Sequence, residues 1–218
     1  ADAITILRDG HLVTSIEKKD TSIIQLAELM IGRKGEAMVS VDRQPKQQDV
    51  VALSVHDLYV NMPGEEVRGV SFDVYEGEIL GIGGLAGQGK LGIPNGIMSL
   101  YDSEGFVNFF GQPLRLGNAA EALRSGMAMV SEDRKGVGLL LDQSIEDNIV
   151  FTAMQVNGQY LTDCLLFKLK NGSAIRQQAN KMIEELDIRC FGPTQHTGTL
   201  SGGNQQKVCI ARALTMDP

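Results

Sequence analysis

The sequence predicts an α/β fold with an antiparallel β portion followed by a helical portion. Two strand-like segments come early, at residues 51–60 and 67–75, and the clearest amphipathic helix comes late, at 173–186. Between them, an apolar run at 78–82 predicts a buried strand, followed by a glycine-rich stretch at 84–91 and a helix candidate. Early strands, late helices and a central strand–loop–helix unit are typical of an α/β domain.

The glycine-rich stretch has the composition of a phosphate-binding loop and reads Gly84-Leu85-Ala86-Gly87-Gln88-Gly89-Lys90-Leu91. Glycines allow backbone N–H groups to turn inward around an anion, and a following helix adds partial positive charge at its N-terminus. Lys90 is placed to reach the outer phosphates of a nucleotide. Such loops continue with Ser or Thr, whose hydroxyl binds Mg²⁺, whereas Leu91 offers no oxygen. A glycine-rich turn without a ligand stays open as the alternative at this point.

Composition narrows the classes of function. The 218 residues carry a net charge of −7 and a pI near 5.0, which argues against general affinity for nucleic acid. The three cysteines, Cys164, Cys190 and Cys209, show no metal-ligand spacing, and their odd number gives no disulfide framework. No run of about 18 apolar residues is present, so any association with a membrane is expected to be peripheral.

The first residues predict a β-hairpin whose strands cover 3–7 and 11–13 and turn on Asp9-Gly10. An amphipathic helix is predicted next, over 21–31, and two strands with one helix cannot bury a core by themselves. Residues 1–34 are therefore predicted to be the end of a preceding domain.

The predicted helix begins with Asp20 or Thr21 as its cap. Its apolar side chains recur at helical spacing and are Ile24, Leu26, Ala27 and Met30. The polar segment 35–49 shows no periodicity and predicts a linker, so that a new domain begins at about Val50.

The other elements of this second domain follow in order. Further strands are predicted at 105–110 and 127–130, and further helices at 90–101, 118–124, 144–154 and 208–214. Ser144 suits the N-cap of its helix, and a turn at Met62-Pro63-Gly64 joins the first two strands.

A second motif precedes the last helix and reads Leu200-Ser201-Gly202-Gly203-Asn204-Gln205-Gln206-Lys207. Ser201 suits an N-cap, and Gly202-Gly203 allow a ligand to approach the backbone at a positive helix end. Taken alone, the motif is equally compatible with an ordinary capped helix start.

Together the motifs carry a resemblance. The segment 200–205 resembles the signature motif of ATP-binding cassette (ABC) proteins, and its extension through Lys207 is similar to the ATP-binding subunits of bacterial importers for simple sugars such as ribose and galactose. Those subunits carry two tandem cassettes in one polypeptide. The segment 131–135 resembles the Q-loop of their second cassette, with Glu132 in place of the usual glutamine. The start of the chain resembles the tail of the first cassette.

This resemblance implies a P-loop NTPase core, the ABC cassette, with an antiparallel β portion and a helical subdomain. It implies that residues 1–34 are the C-terminal tail of a first cassette, 35–49 a linker and 50–218 a second cassette. The Walker B strand, with its metal-binding aspartate and catalytic glutamate, would follow Pro218. The resemblance leaves the adenine-stacking residue open, since Tyr59 lies near the expected place but Met62 aligns better.

The resemblance also implies the site residues. The nucleotide-binding residues would be Gly84, Gly87, Gln88, Gly89, Lys90 and Leu91, and the signature would be Leu200, Ser201, Gly202, Gly203, Asn204 and Gln205. Glu132 would hold the Q-loop position, ATP would be the ligand, and Mg²⁺ would accompany it in the intact parent. These 218 residues are expected to bind ATP without hydrolysing it, with no catalytic residue or metal ligand among them, whereas the intact parent hydrolyses ATP.

The implied partners are transmembrane permease subunits, a periplasmic or extracellular sugar-binding protein that acts through them, and the first cassette, at the cytoplasmic face of the membrane. Residues 142–151 are either core or a surface for the permease. Alternatives are an importer of nucleosides or signalling sugars, and a purely regulatory nucleotide binder. A soluble ABC ATPase of translation or DNA repair is a further one, although the long basic or coiled-coil insertions usual there do not occur.

Overall fold

The computed structural model describes residues 2–8, 11–31 and 50–218, and contacts group the chain into two units, Ala1–Gln47 and Gln48–Pro218. In the first unit, β1 (Ala3–Arg8) pairs antiparallel with β2 (His11–Glu17), which confirms the predicted hairpin strands. The predicted turn at Asp9-Gly10 and the predicted linker at 35–49 lie outside the described residues.

Helix α1 (Ile23–Ile31) begins two residues later than predicted, because Ser22 and Gln25 cap each other. The Ser22 hydroxyl accepts the Gln25 N–H at 3.3 Å, and the Gln25 side-chain oxygen accepts the Ser22 N–H at 3.2 Å. The expected cap at Asp20 or Thr21 is therefore wrong. Ile24 and Met30 of the predicted apolar face are exposed within this unit.

The second unit contains a four-stranded antiparallel sheet in the order β4-β3-β5-β6. Its strands are β3 (Val51–Val60), β4 (Val67–Tyr75), β5 (Ser103–Phe109) and β6 (Gln112–Leu114). The predicted strands at 51–60 and 67–75 are confirmed, and the one at 105–110 forms two residues earlier. Strand β6 is not predicted, and its turn places Phe110 and Gly111 at φ of 46° and 74°, as a type I′ hairpin requires.

A bulge in β3 keeps the core face of this sheet apolar. Val55 and Leu58 are both fully buried although they are three residues apart, and the pairing with β4 shifts between them. Asp57 lies in the bulge at a φ of 48°, and its N–H donates to the Ser71 hydroxyl at 2.9 Å. The inward side chains pack with those of two short helices, α2 (Gly92–Ile97) and α3 (Ala119–Arg124).

The helical part forms a second core from α4 (Ile145–Asn157), α5 (Gly172–Glu185) and α6 (Gly202–Leu214). Ser144 caps α4 as predicted, because its hydroxyl accepts the Asp147 N–H at 3.1 Å. Helix α6 begins six residues before the predicted start at 208, so the motif at 200–207 enters the helix. An unpredicted hairpin, β7 (Leu161–Cys164) with β8 (Phe167–Lys170), lies between α4 and α5.

Three predicted elements beside the glycine-rich loop differ from the structure. Neither 78–82 nor 127–130 forms a strand, since among the described residues neither pairs with a neighbouring strand, and a strand needs such pairing. Ile79 is 80% exposed. The helix predicted over 90–101 shortens to six residues in α2, because the chain turns at Ser99, whose φ is 59°.

Candidate functional site

The glycine-rich loop at 84–91 connects the unpaired segment 78–83 to helix α2. Gly87 and Gly89 adopt φ of 79° and 83°, the left-handed region that favours glycine. These conformations allow backbone N–H groups of the loop to turn toward one side. Because α2 has only six residues, the loop's own N–H groups, rather than a helix dipole, are the donors available to an anion.

An internal carboxylate already occupies those donors. Glu65, in the connection between β3 and β4, is only 8% exposed. Its Oε1 accepts the Gly87 N–H at 2.8 Å and its Oε2 accepts the Leu91 N–H at 3.3 Å. Two N–H groups of the loop therefore converge on one anionic side chain.

The electrostatics of the loop keep Glu65 ionised. The hydrogen bond from the Gly87 N–H lowers the pKa of the Glu65 carboxyl, and the N–H groups of Leu91 and Gly89 and the charge of Lys90 act in the same direction. Burial opposes this shift of the pKa without reversing it. The loop thus stabilises the ionised form of its own chain's carboxylate.

The loop glycines also make room for the backbone of residues 64–66. A Cβ atom added to Gly87 would lie 3.3 Å from the Gly64 carbonyl oxygen, and one added to Gly89 would lie 2.7 Å from that of Glu66. A Cβ at Gly92 would lie only 2.1 Å from the Glu65 carbonyl oxygen. The segment that carries Glu65 is therefore seated directly against the loop.

Lys90 and Leu91 complete the loop. The Lys90 ammonium donates to the Gly84 carbonyl at 3.0 Å, which joins the two ends of the loop. Leu91 contributes its N–H to Glu65 and has no side-chain oxygen. Gly84 and Gln88 are exposed. Of the predicted residues, Gly87 and Leu91 donate to the carboxylate of Glu65.

The predicted signature residues divide into two groups in the structure. Ser201, Gly202 and Gly203 are exposed at the start of α6. The supporting residues are packed or hydrogen-bonded internally: Leu200 and Gln205 are buried, and the Asn204 side chain accepts the Arg189 N–H at 3.0 Å and donates to the Ser201 hydroxyl at 3.0 Å. The buried and hydrogen-bonded residues of the motif thus hold its exposed residues in place.

The segment of the predicted Q-loop contacts the signature through Arg134, two residues after Glu132. Glu132 itself is exposed, while the Arg134 guanidinium donates to the Gly202 carbonyl oxygen. Asp133 holds the turn between them, because its side chain accepts the Gly136 N–H at 2.9 Å. Among the described residues, no hydrogen bond joins the loop at 84–91 to the signature.

The profile of the ABC transporter family matches residues 67–218. The chain belongs to the ABC transporter family. The fold agrees with this assignment: a nucleotide-free ATP-binding cassette from an ABC transporter superposes on 77% of this chain and 66% of its own with a TM-score of 0.58, at 20% identity. The predicted P-loop NTPase fold is confirmed.

Curated relatives of this ABC chain are longer. The chain is 37% identical to the ribose import ATP-binding protein RbsA 2 of Rhizobium meliloti, with 100% of this chain and 41% of that protein covered. It is 33% identical to the galactose/methyl galactoside import ATP-binding protein MglA of Haemophilus influenzae, with the same coverage of both. The chain therefore spans about two fifths of the length of these relatives.

Two adjoining cavities flank the loop of this ABC cassette. One, of about 560 Å³, is lined by Gly87, Gln88 and Gly89 together with Arg68 and neighbours in β4. The other, of about 320 Å³, shares Arg68 and includes Tyr59. Tyr59 is 51% exposed, and its ring lies against Gly69, where an added Cβ would be 2.9 Å from the phenolic oxygen.

The described residues of this ABC chain contain neither a metal-ligand cluster nor a membrane-spanning helix. Among residues 2–8, 11–31 and 50–218, no three His, Cys, Asp or Glu side chains are grouped closely enough to hold a metal ion. No helix in those same ranges is long and apolar enough to cross a bilayer.

Sequence reasoning misses two charged residues beside the loop: Glu65, which accepts its N–H groups, and Arg68, which lines the adjacent cavity. Both follow the turn at Met62-Pro63-Gly64. Nothing in the sequence distinguishes Glu65, whose carboxylate is buried, from its exposed neighbour Glu66. A possible signal is the proline–glycine turn itself, since it fixes where the following residue enters the fold. The structure confirms that turn, with the Glu65 N–H donating to the Met62 carbonyl at 2.9 Å.

Proposed function

We propose that this chain is part of the ATP-binding subunit of a bacterial importer for a simple sugar. The observation that carries the proposal is the similarity of the whole chain to ribose and galactose import ATP-binding proteins, of which it spans about two fifths. Residues 1–34 would then be the tail of a first cassette, 35–49 a linker and 50–218 a second cassette. The match of the family profile to 67–218 supports the last of these ranges.

The loop at 84–91 is proposed to hold the phosphates of ATP. The support is geometric: the N–H groups of Gly87 and Leu91 converge on a carboxylate, an arrangement that suits an anion. Phosphate oxygens accept hydrogen bonds from the same kind of donor. The Lys90 ammonium, now on the Gly84 carbonyl, would turn to the outer phosphates and neutralise their charge.

The residues of this loop do not fit Mg²⁺. A magnesium ion prefers oxygen ligands in an octahedral arrangement, whereas Leu91 provides a hydrocarbon at the position after Lys90. The oxygens of Glu65 accept N–H donors, so they point at groups that repel a cation. No step is therefore assigned to a metal at this loop.

The signature residues are proposed to act on ATP held by the other cassette. Exposure of Ser201, Gly202 and Gly203 at the start of a 13-residue helix supports this role, because a helix N-terminus offers N–H groups to an approaching anion. Binding of ATP between two cassettes would draw them together, and hydrolysis in the intact protein would release them.

The partners and location follow from the same proposal. A subunit of this type would bind transmembrane permease subunits at the cytoplasmic face of the membrane, and these would receive the sugar from a binding protein outside. The groove at Asp142, Phe151 and Met154, about 610 Å³ in volume, is a candidate contact for the permease. The net charge of −7 gives no support for a nucleic-acid partner.

A binding titration tests the nucleotide site. A fluorescent ATP analogue should bind the 218-residue chain, and Lys90→Ala should weaken binding by at least about tenfold, as expected for loss of a charge on phosphate. Lys181→Ala is the matched control, because Lys181 is an exposed lysine on α5. Equal affinities of the two variants would contradict the proposal.

The same titration tests the metal. Because Leu91 supplies no oxygen, dissociation constants measured with Mg²⁺ and with EDTA should agree within about tenfold.

Phosphate release from ATP by the 218-residue chain should stay at background, since in-line attack needs a positioned metal and an oriented water. Turnover that disappears in Lys90→Ala would overturn this expectation.

A further inference from the structure

We propose that Glu65 competes with the phosphates of the nucleotide, so that ATP binds only when this carboxylate leaves the N–H groups of the loop. The inference rests on the proposed function, namely that the loop at 84–91 binds ATP. It adds an affinity-determining residue that lies outside the loop itself, in the connection between β3 and β4.

The competition follows from shared donors. The carboxylate of Glu65 accepts the N–H groups of Gly87 and Leu91 at 2.8 and 3.3 Å. A phosphate held by the same loop needs these donors, each of which has one hydrogen to give. Two anions placed together on them would also repel each other at this short range.

The carboxylate is able to leave without disturbing the sheet. The backbone of Glu65 is fixed on both sides, since its N–H donates to the Met62 carbonyl at 2.9 Å and its own carbonyl lies against Gly92. Only the side chain therefore has to rotate for the carboxylate to leave the N–H groups. The exchange thus requires a change of rotamer rather than unfolding of a loop.

A place to receive the displaced side chain lies next to the loop. The cavity of about 560 Å³ is lined by Gly64, Glu66 and Arg68, and the first two are the sequence neighbours of Glu65. The Arg68 side chain is 81% exposed and is paired with Glu66 at 2.7 Å. Its guanidinium carries further N–H donors, so it offers a second carboxylate a partner after displacement.

The alternative is that Glu65 only braces the loop. A carboxylate that accepts several backbone N–H groups often stabilises a turn, and its removal would then loosen the loop and weaken the binding of any ligand. Competition predicts the opposite sign: removal of the carboxylate frees the donors and strengthens binding. The sign of the change in affinity therefore separates the two roles.

The experiment compares Glu65→Gln and Glu65→Ala with the wild-type 218-residue chain, using a fluorescent ATP analogue and competition by pyrophosphate and by adenosine. Glu65→Gln keeps the shape and removes the charge, so it decides the question should Glu65→Ala fail to fold. Glu76→Gln is the control for charge alone, because Glu76 is exposed at the end of β4.

Both Glu65 variants are expected to bind the ATP analogue and pyrophosphate at least about tenfold more tightly, with adenosine unchanged and Glu76→Gln equal to wild type. Unchanged or weaker binding by the Glu65 variants, while Lys90→Ala still abolishes binding, would overturn the inference and leave the proposed function intact. Absence of Lys90-dependent binding in wild type and in Glu65→Gln alike would overturn both.

Discussion

The loop at 84–91 and the signature at 200–205 differ in what their residues contact. In the loop, the N–H groups of Gly87 and Leu91 donate to Glu65, which is 8% exposed. In the signature, Ser201, Gly202 and Gly203 are exposed, while Leu200 and Gln205 anchor the motif from below. One motif is engaged by its own chain, and the other is exposed at the start of a helix.

This difference shows that the N–H donors of a glycine-rich motif can be hydrogen-bonded to a side chain of the same chain. Glycines in the loop admit the backbone of residues 64–66, whereas Gly203 borders open space. For the proposed function, the Glu65 side chain has to leave the loop before phosphate binds, while the signature is already exposed and its contribution needs only the approach of a partner.

The largest effect is expected from a charge at Gly203. In the full-length protein, Gly203→Asp should lower steady-state ATPase activity by at least about a hundredfold, because a carboxylate would face an approaching phosphate. The helix should still form, since a negative charge is favourable in the first turn. Gly202 is the poorer choice, because a Cβ there lies 3.3 Å from the Arg134 guanidinium, which would neutralise an aspartate.

Gly203→Asn is the matched control, with similar bulk and no charge, and it should retain most of the activity. Nucleotide binding to the 218-residue chain should be the same for wild type and Gly203→Asp. A loss of nucleotide by this chain would show that the signature acts on its own loop and that the two motifs are not separate in function.

The second effect concerns the packing of the loop on residues 64–66. Gly92→Ala should lower the free energy of unfolding by about 2–3 kcal/mol, as overpacking does, because the new methyl group would lie 2.1 Å from the Glu65 carbonyl oxygen. Gly81→Ala, with nothing within 4 Å, should stay within about 0.5 kcal/mol of wild type. Urea unfolding measures both, and equal losses would mean that the segment is not seated on the loop.

Local patterns predicted much of this architecture. Alternating apolar residues located β3 and β4, and Ser144 marked the start of α4 because its cap depends only on residues three positions away. The apolar segments 78–82 and 127–130 failed as predicted strands, since hydrophobicity shows that a segment avoids water but not that a partner strand lies beside it. Pairing is a long-range property.

The candidate site was predictable in its glycines and Lys90 but not in its occupant. The contacts from Glu65 to Gly87 and Leu91 span 22 and 26 residues. Their existence depends on how the turn at Met62-Pro63-Gly64 is placed over the loop, which no local pattern encodes. The division of the signature into exposed and buried halves is similarly set by Arg189 and Thr197, whose backbone groups bind Asn204 and Gln205.

A smaller effect is expected from pH. The Gly87 N–H, then those of Leu91 and Gly89, and the charge of Lys90 lower the pKa of Glu65 in the folded chain. A carboxyl group of this kind stabilises the fold above its unfolded pKa of about 4.3, and this contribution is lost as the pH falls through its lower folded value. Without nucleotide, wild type should therefore melt at a higher temperature than Glu65→Gln near neutral pH.

That difference in melting temperature should shrink as the pH falls below the unfolded pKa of Glu65. The control is Glu76→Gln, whose melting temperature should follow that of wild type at every pH. A gap between wild type and Glu65→Gln that does not change with pH would show that the loop holds Glu65 by shape and not by charge.

The smallest effect is expected at Tyr59, the exposed aromatic residue beside the loop. If the cavity that Tyr59 shares with Arg68 receives the adenine of a nucleotide bound to this loop, Tyr59→Ala should weaken the ATP analogue by roughly twofold to tenfold, the worth of one aromatic stacking contact. Tyr59→Phe keeps the ring and should bind as wild type does. Met62, the competing candidate, is half-buried against the sheet core, so its loss should act on stability instead.

Pyrophosphate separates this contribution from that of the loop, because it has no base to stack. Its affinity should be the same for Tyr59→Ala and wild type, and it should still rise in Glu65→Gln. The activity that depends on the signature should also persist in a Tyr59→Phe full-length protein. Parallel losses of pyrophosphate and ATP analogue in Tyr59→Ala would place Tyr59 among the residues that support β4 through Gly69, rather than beside the base.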